Sequence, residues 1–297
     1  MDPFTLGIIS IAIIIALVFL GVRVAFAAGF VGVLGLILLR GWNAGGGMAG
    51  LTAHAETAHY TLSVLPMFIL IGFLAYYAGL TQGAFRSARA WFGWMPGGLA
   101  VATVFATAGF AAVSGASTAT AAVFSRVAIP EMLKYGYERR LAAGVVAAGG
   151  TLASLIPPSA ILVIYAIIVE ESVGALLLAG FIPGAVSALI YMGIVVLRCS
   201  INPALGRPVR GISWNERFNS IPGMLPIVAV IVIILGGIYT GVMTPTETGA
   251  VGAALIFFMA IGRRVIFGSG MTVTDFKDAM LETCLLYTSP SPRDTNP

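Results

Sequence analysis

The chain has 297 residues, 59% hydrophobic and only 9% charged, with a mean hydropathy of +0.99. A soluble domain carries about a quarter charged residues, so composition excludes a water-soluble protein, and the net charge of +4 is read as membrane topology, with no nucleic-acid partner. Cys199 and Cys284 lie far apart and lack metal-ligand spacing, which excludes a disulfide framework and a zinc site.

At about 1.5 Å per residue, roughly twenty helical residues cross a bilayer core. On that ruler the chain is an all-α polytopic membrane protein with spans at 5–22, 24–40, 62–80, 141–168, 173–197, 222–240 and 248–264. The first is a retained span that also serves as the insertion signal, because Arg23 leads at once into a second apolar run. Residues 41–60, with His54 and His59, are expected as a loop. Residues 81–94 mix Phe85, Trp91, Phe92 and Trp94 with Arg86 and Arg89, which suits the headgroup region and predicts an interfacial arm. Residues 273–286 read as a second amphipathic segment, and an ordinary interfacial linker explains either one equally well.

The segment 97–130 is apolar on both sides of Ser114–Thr120. Each arm holds about fifteen residues, or roughly 22 Å, enough to reach mid-bilayer and no further. A re-entrant helical hairpin follows. Charge placement agrees. With the amino terminus outside, Arg23, Arg86, Arg89, Arg126, Lys134, Arg139, Arg140, Arg198, Arg207, Arg210, Arg217, Arg263 and Arg264 fall at the inner face. A single full crossing by 97–130 would put the basic loops 134–140 and 198–217 on opposite sides.

At the hairpin tip, Gly115 can end the first arm in the left-handed conformation, and Ser117 or Thr118 can cap the second. The tip then offers carbonyls, hydroxyls and free amides, which suit a hard cation and a carboxylate. Close helix packing by Ser114, Ser117, Thr118 and Thr120 is the alternative. Pro157-Pro158 is more specific. Two prolines remove the donors for the carbonyls of Ala153 and Ser154 and push Ile156 and Pro157 to extended backbone. The span 141–168 becomes a broken helix, with Thr151, Ser154 and Ser159 around the gap and Gly149 and Gly150 free to admit the hairpin tip. A proline kink is the bland explanation. Thr244-Pro245-Thr246-Glu247 reads as a capping box that starts the next helix. No histidine is expected at the depth of Ser114, so an intramembrane hydrolase lacks its base.

These features together resemble the large permease subunit of the tripartite ATP-independent periplasmic (TRAP) transporters, the DctM-like proteins. The matching motifs are Leu65-Pro66-Met67-Phe68-Ile69-Leu70-Ile71-Gly72, the Ser114–Ala122 hairpin, Leu155–Ser159 and Gly241-Val242-Met243-Thr244-Pro245-Thr246-Glu247, in order across residues 1–285. The resemblance implies an elevator-type, Na⁺-driven importer of organic acids in the bacterial inner membrane, with no cofactor. A periplasmic binding protein and a small four-helix membrane subunit are the implied partners. Ser114, Gly115, Ser117 and Thr118 with Ile156, Pro157, Pro158 and Ser159 would form one Na⁺ site and half of the substrate site.

The family is built from inverted repeats. Residues 1–197 are expected to be the first, 198–221 a cytoplasmic loop, 222–286 the truncated start of the second, and 287–297 a non-native tail. Such a fragment is expected not to transport alone. Two further readings are a divalent-anion/Na⁺ symporter of related fold and a non-transporting membrane scaffold.

Overall fold

The computed structural model describes residues 3–57, 60–209, 211–267 and 270–288. Among these residues there are helices and no strands, and the chain divides into two compact units between Leu62 and Ser63. The calls on His59, Arg210 and the tail beyond Thr288 lie outside the described residues.

The first unit holds α1 (Pro3–Phe19), α2 (Val24–Arg40) and α3 (Trp42–Thr57). The third helix corrects the expected 41–60 loop. Gly41, at φ 80°, turns the chain, and a Cβ at Gly45 would lie 2.7 Å from the Ile37 backbone. The glycine at 45 lets α3 lie against α2.

The second unit begins with α4 (Val64–Tyr77) and α5 (Leu80–Phe92), bent by 69° at Gly79, itself at φ 75°. This matches a span that turns into an arm. Then come α6 (Gly98–Ser114) and α7 (Ser117–Lys134), followed by α8 (Arg139–Thr151) and α9 (Ala160–Ile168). The hairpin's second arm is longer than predicted, since Pro130 lies inside α7 without ending it. The α10 helix (Val173–Ile201) is long and apolar enough to cross a membrane alone, as is most of α13 (Pro245–Phe267). Between them, the expected 198–221 loop is partly helical. It contains the end of α10 and the short α11 (Trp214–Ser220), which leads through a 3-10 turn into α12 (Leu225–Tyr239). The last element is α14 (Val273–Thr288).

The capping box at Thr244 forms as expected. The Thr244 amide donates to Glu247 Oε2 at 2.8 Å, and the Glu247 amide donates to Thr244 Oγ1 at 3.3 Å. Thr272 and Asp275 repeat the device ahead of α14, at 2.7 and 3.1 Å.

The α6 helix is the axis of this unit and is buried along most of its length. Its alanines, valines and threonines let neighbours approach closely, as small residues do in membrane helices. Thr103 and Thr107 donate to the Leu99 and Val104 carbonyls within the same helix, at 2.8 Å each, so their hydroxyls can be buried without another partner. Three contacts pair α6 with α7 as an antiparallel hairpin: Thr103 with Met132, Phe110 with Phe124 at 5.5 Å, and Ser114 with Thr120 at 2.9 Å.

Candidate ion and substrate site

The hairpin tip is two residues long. Gly115 takes φ 59°, as expected of a glycine ending a helix, and its amide donates to the Ala111 carbonyl at 3.0 Å. The cap of α7, however, is Ala116, in extended conformation, and no side chain caps this helix. Ser117 and Thr118 therefore stand in the first turn of α7 and not at its cap. The reason is the brevity of the turn: one left-handed and one extended residue reverse the chain, which leaves the hydroxyl residues already helical.

This placement frees them. Ser117 is half-buried, Thr118 is exposed, and neither hydroxyl has a hydrogen bond within the chain among the described residues. Ser114 is fully buried, with its hydroxyl bonded to Thr120, which also donates to the Ala116 carbonyl at 2.9 Å. The Ser114–Thr120 pair thus holds the tip closed from inside.

The broken helix comes apart where the prolines predict. After α8 the chain makes a 3-10 turn at Leu152–Ser154, and Ile156, Pro157, Pro158 and Ser159 are all buried before α9 starts. Ser159 caps α9 by accepting from the Leu162 amide at 3.4 Å. Its hydroxyl donates at 2.8 Å to the Ser154 carbonyl, one of the two that the prolines deprive of a donor.

The two breaks meet. The Ala160 amide, at the start of α9, donates to the Gly115 carbonyl at 3.0 Å. A Cβ at Gly115 would collide with the Pro158 carbonyl oxygen, so the tip approaches the break through a residue that has no side chain. On the other side, a Cβ at Gly150 would lie 2.9 Å from that of Ala121 and 3.3 Å from the Ser117 carbonyl. Gly149 faces Thr107 just as closely. Thr151 is exposed, and its hydroxyl is committed to the Ala148 carbonyl at 2.7 Å and to Tyr191 on α10 at 3.4 Å, away from the tip.

Sequence reasoning missed the support behind the break. On α10, a Cβ at Gly180 would lie 2.5 Å from the Leu155 carbonyl oxygen, and one at Gly184 would lie 2.7 Å from Ile156 Cγ1. Pro183 sits between them inside the helix. Two glycines four residues apart are the legible signal of a close helix contact. What they contact here is irregular backbone.

Residues 10–288 match the family described as tripartite ATP-independent periplasmic transporter, DctM component. The chain belongs to this family. It is 36% identical over 251 residues to the C4-dicarboxylate TRAP transporter large permease protein DctM of Vibrio cholerae, covering 84% of this chain and 54% of that protein. The corresponding protein of Pseudomonas aeruginosa is 42% identical over 205 residues, 68% of this chain and 47% of its own length. The sialic acid TRAP transporter large permease protein SiaM of Vibrio cholerae is 31% identical over 269 residues, 91% of this chain and 61% of its own. The chain spans about half the length of the curated relatives it matches. As a DctM-family protein it is an all-α polytopic membrane protein, and in its second unit the hairpin tip and the broken helix are irregular segments whose backbone polar groups meet.

Proposed function

We propose that the chain is the membrane-embedded permease portion of a Na⁺-coupled TRAP transporter that imports an organic acid handed over by a periplasmic binding protein. It sits in the bacterial inner membrane with its amino terminus periplasmic, beside a small four-helix membrane subunit. Residues 1–197 act as the first inverted repeat of an elevator-type carrier, and 222–286 open the second.

The observation that carries this reading is the junction of Gly115 with Ala160. Irregular backbone at membrane depth is tolerated only where protein buries it or where it lines a wet cavity, and paired broken helices are a recurrent way to build an ion site there. A carbonyl oxygen has two lone pairs, so the Gly115 carbonyl can hold the Ala160 amide and still face an ion. Ser114 and Ile156 would contribute carbonyls, and Ser117, Thr118 and Ser159 hydroxyls, a hard oxygen set suited to Na⁺. The first amides of α7 have no acceptor within the helix, and a helix amino terminus favours a substrate carboxylate. Gly149 and Thr151 border this region, and Pro157 and Pro158 hold it open.

The test is the melting temperature of the purified chain in detergent, in NaCl and in KCl at equal ionic strength. Na⁺ at ten times its dissociation constant adds about 1.4 kcal/mol of stability. Thr118→Ala and Ser117→Ala should abolish that increment and leave the KCl value unchanged. Equal melting in the two salts would sink the ion site. Uptake into proteoliposomes by a chain completed to the full length of its relatives, under a Na⁺ gradient and with and without a family binding protein, then separates a TRAP system from a symporter that needs none. Variants with unaltered Na⁺ response would instead favour a scaffold.

A further inference from the structure

The α5 helix and the α11 segment border an open cavity of about 720 Å³ lined by Trp91, Trp94, Phe105, Trp214, Arg217 and Met224, among others. Its walls are firmly joined. Ser87 donates to the Ser220 carbonyl, and a Cβ at Gly83 would lie 2.6 Å from the Gly223 carbonyl oxygen. Three of the chain's four tryptophans line it. Trp91 meets Phe218 edge-on at 6.1 Å, and the Arg217 guanidinium lies 4.6 Å from the Trp214 ring centroid.

One group in this cavity is unsatisfied. Arg217 Nε is buried and has no hydrogen-bond partner. A buried cationic donor without an acceptor is costly, and among the described residues no carboxylate lines the cavity and none pairs with Arg217. An anionic oxygen from outside the chain would supply that acceptor. Apart from Ser87, whose hydroxyl is bonded to the Gly83 and Ser220 carbonyls, the rest of the lining is apolar and aromatic, the mixture found at the headgroup level of a bilayer. A free phosphate would satisfy Arg217 and leave the apolar walls bare. A hydrocarbon chain alone would do the reverse.

We propose that this cavity is a phospholipid site, with a phosphodiester oxygen on Arg217 and an acyl chain between Trp91, Trp94 and Trp214. The proposal rests on membrane embedding and not on transport, so the loss of either reading leaves the other standing. A lipid held there would cement α5 to the connection between α10 and α12.

The experiment uses the full chain with Trp42→Phe, which leaves only the three cavity tryptophans as reporters. The protein is delipidated in detergent and titrated with phosphatidylglycerol carrying brominated acyl chains, which quench tryptophan on contact. Saturable quenching with one lipid per chain is expected. Arg217→Gln should weaken it about tenfold, the loss of one charged hydrogen bond, and Arg217→Lys, which keeps the charge but lacks Nε, should weaken it less. Arg198→Gln, which lines a different cavity, should leave it unchanged. Should Arg217→Gln not remain monodisperse, the lysine variant and the ligand comparison decide. Equal quenching by brominated diacylglycerol, or competition by glycerol phosphate at lipid concentrations, would overturn the proposal. So would quenching that the Arg217 variants leave unaltered.

Discussion

The carbonyl of Gly115 accepts the amide of Ala160 at 3.0 Å, which joins the tip of the α6–α7 hairpin to the first turn of α9. Each partner is a backbone group left over by a helix break, and each satisfies the other. Gly115 can serve because it has no Cβ: one there would strike the Pro158 carbonyl, and the left-handed φ of 59° would be strained as well.

Gly115→Ala should therefore destabilise the second unit by about 2–4 kcal/mol, from overpacking against backbone plus the left-handed penalty. Thermal unfolding in detergent measures it. A melting temperature equal to that of the parent would show that the tip is not held against Pro158.

The α10 glycines should differ in cost. At Gly180 an added methyl meets the Leu155 carbonyl, which cannot rotate away, whereas at Gly184 it first meets Ile156 Cγ1 at 2.7 Å, a side-chain atom that can yield a little before the Ile156 backbone at 3.2 Å. We expect Gly180→Ala to cost about 2–3 kcal/mol and Gly184→Ala about 1 kcal/mol. The reverse order, read from paired melting curves, would contradict this account of the seat.

Ser114 and Thr120 form one buried hydroxyl pair. Ser114→Ala or Thr120→Val alone should cost about 1–2 kcal/mol, because the partner is left short of a bond. The double variant should lose less than the sum, with a coupling of at least ~0.5 kcal/mol. Strict additivity in the double-mutant cycle would show that the pair contributes nothing.

Tyr137, in the turn between α7 and α8, accepts from the Leu99 amide at 3.1 Å and donates to the Arg207 carbonyl at 3.0 Å. Tyr137→Phe leaves the buried Leu99 amide unpaired and should cost about 1–3 kcal/mol. Burial pushes this phenol up to about 12 from its ordinary 10.0. The protonated form is the one favoured by folding, so its contribution is complete below pH ~10 and falls as pH rises toward 12. The melting difference between parent and Tyr137→Phe should narrow over that range, and a difference constant through it would disprove the linkage.

Arg126 on α7 binds Glu282 on α14 at 2.8 and 3.1 Å, and Glu282 also accepts from Tyr77 at 2.9 Å. Arg126 is about half exposed, with a side-chain exposure of 48%, so the ion pair itself contributes at most ~1 kcal/mol and weakens with salt. Arg126→Gln should lower the melting temperature slightly at low ionic strength and not at high. A large, salt-independent loss would mean that the side chain acts through packing.

The apolar helices were legible because hydropathy along a helix is a local property, and so were the two breaks. A proline lacks its amide wherever it stands, and Gly115 and the prolines at 157 and 158 announce their effects within a few residues. The capping box at Thr244–Glu247 was legible for the same reason. The helix in 41–60 was not legible because glycine suits a loop and a close helix contact equally, and which one forms depends on α2 lying alongside. Ser117 or Thr118 was expected at the cap, one or two positions too early, because the length of the turn depends on how the two arms pack.

Chain order and composition thus settle that this is a helical membrane protein with a hairpin tip and a broken helix, since those follow from burial of apolar residues and from backbone groups each residue has or lacks. Which broken end faces which required the fold. Gly115 reaches Ala160, Gly180 reaches Leu155 and Gly83 reaches Gly223 only because helices distant in sequence pack without side chains between them. No local pattern encodes the partner of a missing Cβ.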